Sequence, residues 1–231
     1  ALRACRLGGA GFVSHTGGDT PRLSMNTTAH SSMSTADVLD MFRSCGAMLE
    51  GHFLLSSGLH SDRYFQCALL LEHPQKAEIL AKELARRIRA VDPQPYDIVV
   101  GPAMGAVTWA YEVGRALGCR AQFTERVGED MALRRGFVVK PTDKILVVED
   151  VLTTGGSARE VMELLQSLGA KAHAAACLVN RSGGNPFAKD GLSTFALAEV
   201  VVQTWKPEEC PLCKSGSTAI KPGSRAKPAG T

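Results

Sequence analysis

No run of apolar residues in this chain approaches the length of a membrane span, and no adequate hydrophobic segment marks it for secretion. Charge of one sign is scarce as well. The 26 Lys and Arg against 23 Asp and Glu leave a formal net charge of +3, much of it in the two ends, so no basic face suited to nucleic acid is expected. The seven cysteines are odd in number, and most sit in apolar segments such as Ala174-Ala175-Ala176-Cys177. A free thiol there packs as a small hydrophobe, which favours a reducing, cytoplasmic setting. There is no internal repeat. At 231 residues the chain can bury one good core, with no room for a second catalytic domain of ordinary size.

Two nucleotide signatures are also missing. A Walker loop ends in Gly-Lys-Ser/Thr, and a Rossmann fingerprint needs three spaced glycines directly after a strand with an acid about twenty residues later. Neither occurs. What stands instead is Lys144-Ile145-Leu146-Val147-Val148-Glu149-Asp150-Val151-Leu152-Thr153-Thr154-Gly155-Gly156-Ser157. Four apolar residues in a row suit a buried parallel strand, and the following helix carries Val161, Leu164, Leu165 and Leu168 on one face. The loop between them therefore lies at a helix N-terminus, where unpaired N–H groups and the positive end of the dipole attract an anion. Glu149 and Asp150, at the carboxyl end of the strand, are placed to accept hydrogen bonds from vicinal ribose hydroxyls.

This segment resembles the phosphoribosyl-pyrophosphate (PRPP) motif of type I phosphoribosyltransferases. The resemblance implies that Glu149 and Asp150 hold the ribose 2- and 3-hydroxyls and that Thr153, Thr154, Gly155, Gly156 and Ser157 hold the 5-phosphate. A second stretch, Gly51-His52-Phe53-Leu54-Leu55-Ser56-Ser57-Gly58-Leu59-His60-Ser61-Asp62-Arg63-Tyr64-Phe65-Gln66, is similar to the N-terminal signature of orotate phosphoribosyltransferases. By that likeness Tyr64 and Phe65, and Thr153 beside them, meet the flat pyrimidine. A third, Val179-Asn180-Arg181-Ser182-Gly183-Gly184, resembles the family's strand-end arginine, which implies that Arg181 grips the carboxylate of orotate bidentately. The loop Gly101-Pro102-Ala103-Met104-Gly105 corresponds to the pyrophosphate loop, assigning Ala103, Met104 and Gly105 to the leaving group.

The chain departs from the family in its cations. Ser56 stands where many members have lysine, the pyrophosphate loop has no lysine and is a residue shorter, and the stretch corresponding to the mobile loop, Thr124 to Arg135, offers arginines only. Arg126, which follows the strand Arg120 to Phe123, is the first candidate for the catalytic cation, with Arg134 and Arg135 beside it and Asp150 completing the expected catalytic set. The implied cofactor is Mg²⁺, held mainly through substrate. The implied partners are PRPP, orotate and a second copy of the chain, a homodimer whose mobile loop serves the neighbouring site. Two rivals stay open: the same transfer to another base such as a purine, and a non-catalytic PRPP- or nucleotide-sensing regulator of the same fold.

The order of elements argues for an α/β architecture, a central parallel sheet flanked by helices with a small N-terminal hood, and the ligand at the carboxyl ends of the strands. Core strands are expected at 97–100, 120–123, 144–149 and 172–179, a returning strand at Phe137 to Val139, a late one at Leu192 to Val202, and helices near 107–117 and 157–168. Ser34-x-x-Asp37 is a capping pattern for a helix through Met48, and Pro74 opens a helix with Ala77, Leu80, Ala81, Leu84 and Ile88 on one face. Residues 1–33 read as a disordered leader, with Arg3, Arg6 and Arg22 against the single acid Asp19 compatible with an organelle presequence or an upstream start. Residues 34–207 form the phosphoribosyltransferase domain, and 208–231 an irregular or disordered tail. Cys210-Pro211-Leu212-Cys213 has the spacing of half a zinc site, but no second pair follows in the tail, and His52, His60 and His73 lack helical metal spacing and read as surface or substrate-edge residues.

Overall fold

The computed structural model describes residues 32–55 and 57–222; most of the expected leader, residues 1–31, lies outside them. The first helix, α1 (Thr35–Ser44), starts where the capping pattern placed it. The Ser34 hydroxyl accepts from the Asp37 N–H at 3.2 Å, and the Asp37 carboxylate accepts from the Ser34 N–H at 2.7 Å. It ends short of Met48, because Gly46 takes a φ of +62° and turns the chain into an antiparallel pair, β1 (Met48–Leu54) and β2 (His60–Phe65). A short α2 (Cys67–Leu71) leads to α3 (Pro74–Val91), whose stripe of Ala77, Leu80, Ala81, Leu84 and Ile88 is buried as expected.

Then β3 (Ile98–Pro102), α4 (Ala106–Leu117), β4 (Arg120–Val127), β5 (Asp130–Leu133), β6 (Ile145–Leu152), α5 (Gly156–Ser167), β7 (Ala172–Asn180) and β8 (Ser193–Glu199) complete the main body. Its six strands run in the order β5-β4-β3-β6-β7-β8, all parallel except the β4–β5 edge pair. Side-chain alternation divides the interior in two. Val99, Leu146 and Val148 pack on one face with α3 and α4, and Ile98, Val100, Ile145 and Val147 on the other with α5. Burial on both faces explains the unbroken apolar runs. Between β3 and β6 the connections diverge, β3 crossing over to β4 and β6 to β7, so the crevice at their carboxyl ends is the switch point where α/β sheets bind ligands.

Two expectations need correcting. The strand expected at Phe137 to Val139 is a loop. Arg135, at φ +60°, and Gly136 turn the chain there; the partner of β4 is β5, and the Val138 carbonyl accepts instead from the Gln122 side chain at 3.1 Å. Just before the expected tail, β9 (Thr204–Trp205) joins β2; the tail itself is not irregular over its described part, since α6 (Pro211–Lys214) follows and Ile220 exchanges backbone hydrogen bonds with β1. Cys210 is fully buried there, with His52 and His60 buried against it, whereas His73 is exposed as expected. The three-stranded sheet β1-β2-β9 is the hood, and its Tyr64 lies near Asp150 and Arg181 at the carboxyl ends of β6 and β7.

Candidate active site

The end of β6 splits its two acids across the sheet. Glu149 continues the α5 side and is hydrogen-bonded by Ser157, while Asp150 continues the α4 side and faces Gly105. Each carboxyl keeps an opening to solvent although protein atoms surround it. Burial first, then the neighbouring Asp150 charge, pushes the Glu149 carboxyl up to about 8; burial also raises Asp150, against the 2.8 Å hydrogen bond it accepts from the Val151 N–H. Among the described residues neither acid has an ion-pair partner. Two crowded, unneutralised carboxyls fit a ligand that brings hydroxyl donors and a divalent cation.

Beyond them, Thr153, Gly155, Gly156 and Ser157 curl around a concavity shared with Glu149, Val151 and Leu152, while the expected Thr154 is not among its lining residues. No side chain caps α5, so its first N–H groups are left for an anion. Gly155 is required there: its φ is +80°, and a Cβ on it would lie 2.8 Å from the Phe187 ring. Arg159 braces the same wall from below, over the Phe187 ring and bonded to Asp190. Across the crevice, Ala103, Met104 and Gly105 follow β3, and the Ala103–Met104 peptide is cis. A Cβ at Gly105 would lie 2.7 Å from Asp150 Oδ2, so only glycine lets this loop approach the acid pair.

The hood contributes the third wall. Tyr64 sits within electrostatic reach of both Asp150 and Arg181, which join it to the site. Phe65 does not share that position. Adjacent strand residues face opposite sides, and Phe65 is 4% exposed, edge-on to Phe42 in the core; its expected role against the base is corrected to a packing role. Arg181, at the end of β7, is recessed beside Asp62 and Tyr64, and burial lowers its ordinarily very high pKa against their negative pull. Its Nε and the Asp62 Oδ1 are both buried without a hydrogen-bond partner among the described residues. Asp62 is not among the expected site residues, although counting back two from Tyr64 along β2 puts it on the same face.

The expected catalytic arginines divide too. All three belong to the β4–β5 hairpin and its exit, which lies beside the pyrophosphate loop because the Ala103 N–H donates to the Thr124 carbonyl at 2.8 Å. Arg126 is paired with Glu160 on α5 and bonded to the Glu129 carbonyl. Arg135 is held in a two-pronged pair by Glu125 at 2.7 and 3.0 Å. Arg134 is exposed and forms no ion pair among the described residues, so it is the guanidinium available without breaking a contact.

Comparison with known proteins shows the family and the fold. Residues 69–208 match the family model described as the phosphoribosyl transferase domain. The chain is 53% identical over 193 residues to an orotate phosphoribosyltransferase of Heliobacterium modesticaldum, an alignment covering 84% of this chain and 100% of that protein. Among solved structures it is similar to an orotate phosphoribosyltransferase from Aeropyrum pernix, with a TM-score of 0.58 and 27% identity over 70% of this chain and 93% of that one. An adenine phosphoribosyltransferase from Thermoanaerobacter pseudethanolicus shares the fold, with a TM-score of 0.52 and 16% identity over 60% of this chain and 88% of that one. The fold by itself therefore does not select the base.

Proposed function

Because this chain belongs to the orotate phosphoribosyltransferase family, we propose that it transfers the 5-phosphoribosyl group of PRPP to orotate, a step of pyrimidine biosynthesis. The observation that carries the choice of base is the buried, unpartnered pair of Arg181 Nε and Asp62 Oδ1 beside Tyr64. A pyrimidine bearing a carboxylate supplies an acceptor for the first and a ring N–H for the second, and Tyr64 supplies a flat wall. Unpaired buried groups of this kind discriminate strongly against ligands that leave them unpaired.

In the reaction, a ring nitrogen of orotate gives up its proton to solvent and bonds to the anomeric carbon as the carbon–oxygen bond to pyrophosphate breaks, its electron pair leaving with pyrophosphate. The 5-phosphate is held at the α5 N-terminus and the ribose hydroxyls at Glu149 and Asp150, so the sugar spans the crevice with its anomeric carbon toward Tyr64 and Arg181. Backbone groups of Ala103, Met104 and Gly105 receive the departing pyrophosphate. Glu149 or Asp150, together with substrate oxygens, would hold Mg²⁺, which would supply neutralisation of phosphate charge. Closure of the β4–β5 hairpin brings a guanidinium to the developing charge and excludes water. Offering orotate, uracil, adenine and hypoxanthine separately with PRPP and Mg²⁺ tests the assignment: pyrophosphate release is expected with orotate alone, and release with a purine instead would discard the carboxylate pocket.

A homodimer with shared loops is part of this reading, supported by the apolar groove of Val107, Tyr111, Phe123 and Phe137 and by Tyr111 being 64% exposed. Assayed at PRPP well below the wild-type KM, chains carrying Arg134→Ala and chains carrying Asp150→Asn are each expected to show little activity. Reassociated at random, half of their dimers are mixed, and each mixed dimer has one intact site, so recovery to roughly a quarter of the wild-type rate is expected. Absence of recovery contradicts the sharing.

The acid pair also sets a pH dependence. Glu149 rises from an ordinary 4.5 to about 8 in the folded chain, so between those values the folded chain keeps a proton that the unfolded chain has lost. Stability without ligand therefore falls as pH rises through that window, by on the order of a few kcal/mol. Affinity for Mg²⁺ and PRPP, which use the anion, rises over the same window. Thermal melts and PRPP titrations at both ends check this: Glu149→Gln is expected to flatten both trends, and a wild-type protein equally stable at both ends contradicts the protonated acid.

A further inference from the structure

We propose that His52, His60, Cys210 and Cys213 form a structural zinc site that fastens the C-terminal segment to the hood. The four ligand atoms lie within 4.8 Å of one another, and none of the four residues belongs to the crevice described above. Two come from the β1–β2 hairpin and two from the turn that opens α6, parts of the chain more than 140 residues apart. Local sequence pattern therefore could not join them, and the tail shows only half of the set.

The distances match a tetrahedron around one ion. With bonds of about 2.0–2.1 Å to nitrogen and 2.3 Å to sulfur, the edges of such a tetrahedron are roughly 3.3 Å for N–N and 3.6 Å for N–S. His52 Nε2 lies 2.9 Å from His60 Nδ1, 3.4 Å from Cys210 Sγ and 3.7 Å from Cys213 Sγ, and Cys213 Sγ lies 3.3 Å from His60 Nδ1. Three heteroatoms converge on His52 Nε2, which has one lone pair or one hydrogen to offer. A shared central ion accounts for all of them at once; one hydrogen bond accounts for one.

Chemistry selects the ion and its role. Two thiolates and two imidazoles in tetrahedral array suit zinc. Binding forms two Zn–S and two Zn–N bonds and releases the two thiol protons to solvent. Both thiols are free rather than joined in a disulfide. Cys210 is 0% exposed, His52 6% and His60 8%, and with four protein ligands no position is left for substrate, which marks the site as structural. The other ring nitrogen of His52 meets the Ser217 hydroxyl at 3.2 Å, the outer contact that fixes a ligating imidazole in its tautomer. Through β2 the same ion steadies Asp62 and Tyr64, two and four residues beyond His60.

The full-length chain, purified without chelators or metal-affinity resin, is assayed for zinc by plasma mass spectrometry. About one zinc per chain is expected, retained in Cys45→Ser and lost in Cys213→Ser, with a fall of several degrees in melting temperature when the metal is stripped. If the serine variants do not fold, wild-type protein loaded with Co²⁺ decides: intense visible bands of tetrahedral thiolate-bound cobalt support the site, and the pale spectrum of octahedral cobalt contradicts it. Reduced wild-type protein that takes up no Zn²⁺, a Cys210–Cys213 disulfide in the native protein, or zinc retained by Cys213→Ser overturns the proposal.

Discussion

Arg181→Ala is expected to lower kcat/KM for orotate by two to three orders of magnitude while leaving PRPP affinity nearly unchanged. The guanidinium is recessed just past the end of β7, its Nε without a hydrogen-bond partner among the described residues and Asp62 of the hood facing it. Bound orotate makes the missing pair, and truncating one member of a buried, hydrogen-bonded charge pair costs about 2–5 kcal/mol, where about 1.4 kcal/mol is tenfold. The 5-phosphate cradle follows a different strand, which is why PRPP is spared. Arg181→Lys restores the charge without the planar fork and should recover only part of the loss. Initial rates with orotate varied at saturating PRPP, together with PRPP titrations, separate these effects. Unchanged use of orotate, or an equal loss of PRPP binding, removes Arg181 from the base site.

Asp150→Asn should weaken PRPP binding by about ten- to a hundredfold, since hydrogen bonds to a charged group contribute roughly 1.5–3 kcal/mol. The same substitution should leave the unliganded chain as stable as before or more so. Burial raises the Asp150 carboxyl, so the charge is held at a cost that ligand offsets and that asparagine, of nearly the same shape, avoids. Lower affinity with an undiminished melting temperature is the signature that distinguishes a ligand-binding acid from a structural one. Retained PRPP affinity in calorimetric titration would take the ribose hydroxyls away from Asp150.

What was legible in the sequence was local. The capping box at Ser34, the proline that opens α3 and the strand–loop–helix from Ile145 to Ser167 each announce themselves within a few residues, because caps, fixed φ and apolar runs act at short range. The acid pair and the phosphate loop came with that segment. The losses are non-local or face-dependent. Phe65 and Tyr64 are neighbours in sequence, and only the pairing of β2 with β1 decides which of them meets the core. Arg135 turns the chain at a positive φ that non-glycine residues seldom adopt, which moves the return strand from Phe137–Val139 back to Asp130–Leu133. In the tail, Cys210 and Cys213 meet His52 and His60, more than 140 residues away in sequence.

The most direct measurement is the balance sheet of a single incubation of this protein with PRPP, Mg²⁺ and orotate, following loss of orotate, pyrophosphate and the mass of the nucleotide formed. Expected is one orotidine 5-phosphate for each pyrophosphate released and each orotate consumed, with no pyrophosphate when orotate is left out. Pyrophosphate accompanied by free ribose 5-phosphate, or firm PRPP binding with no product from any base, would contradict the transfer and leave a hydrolase or a sensor in its place.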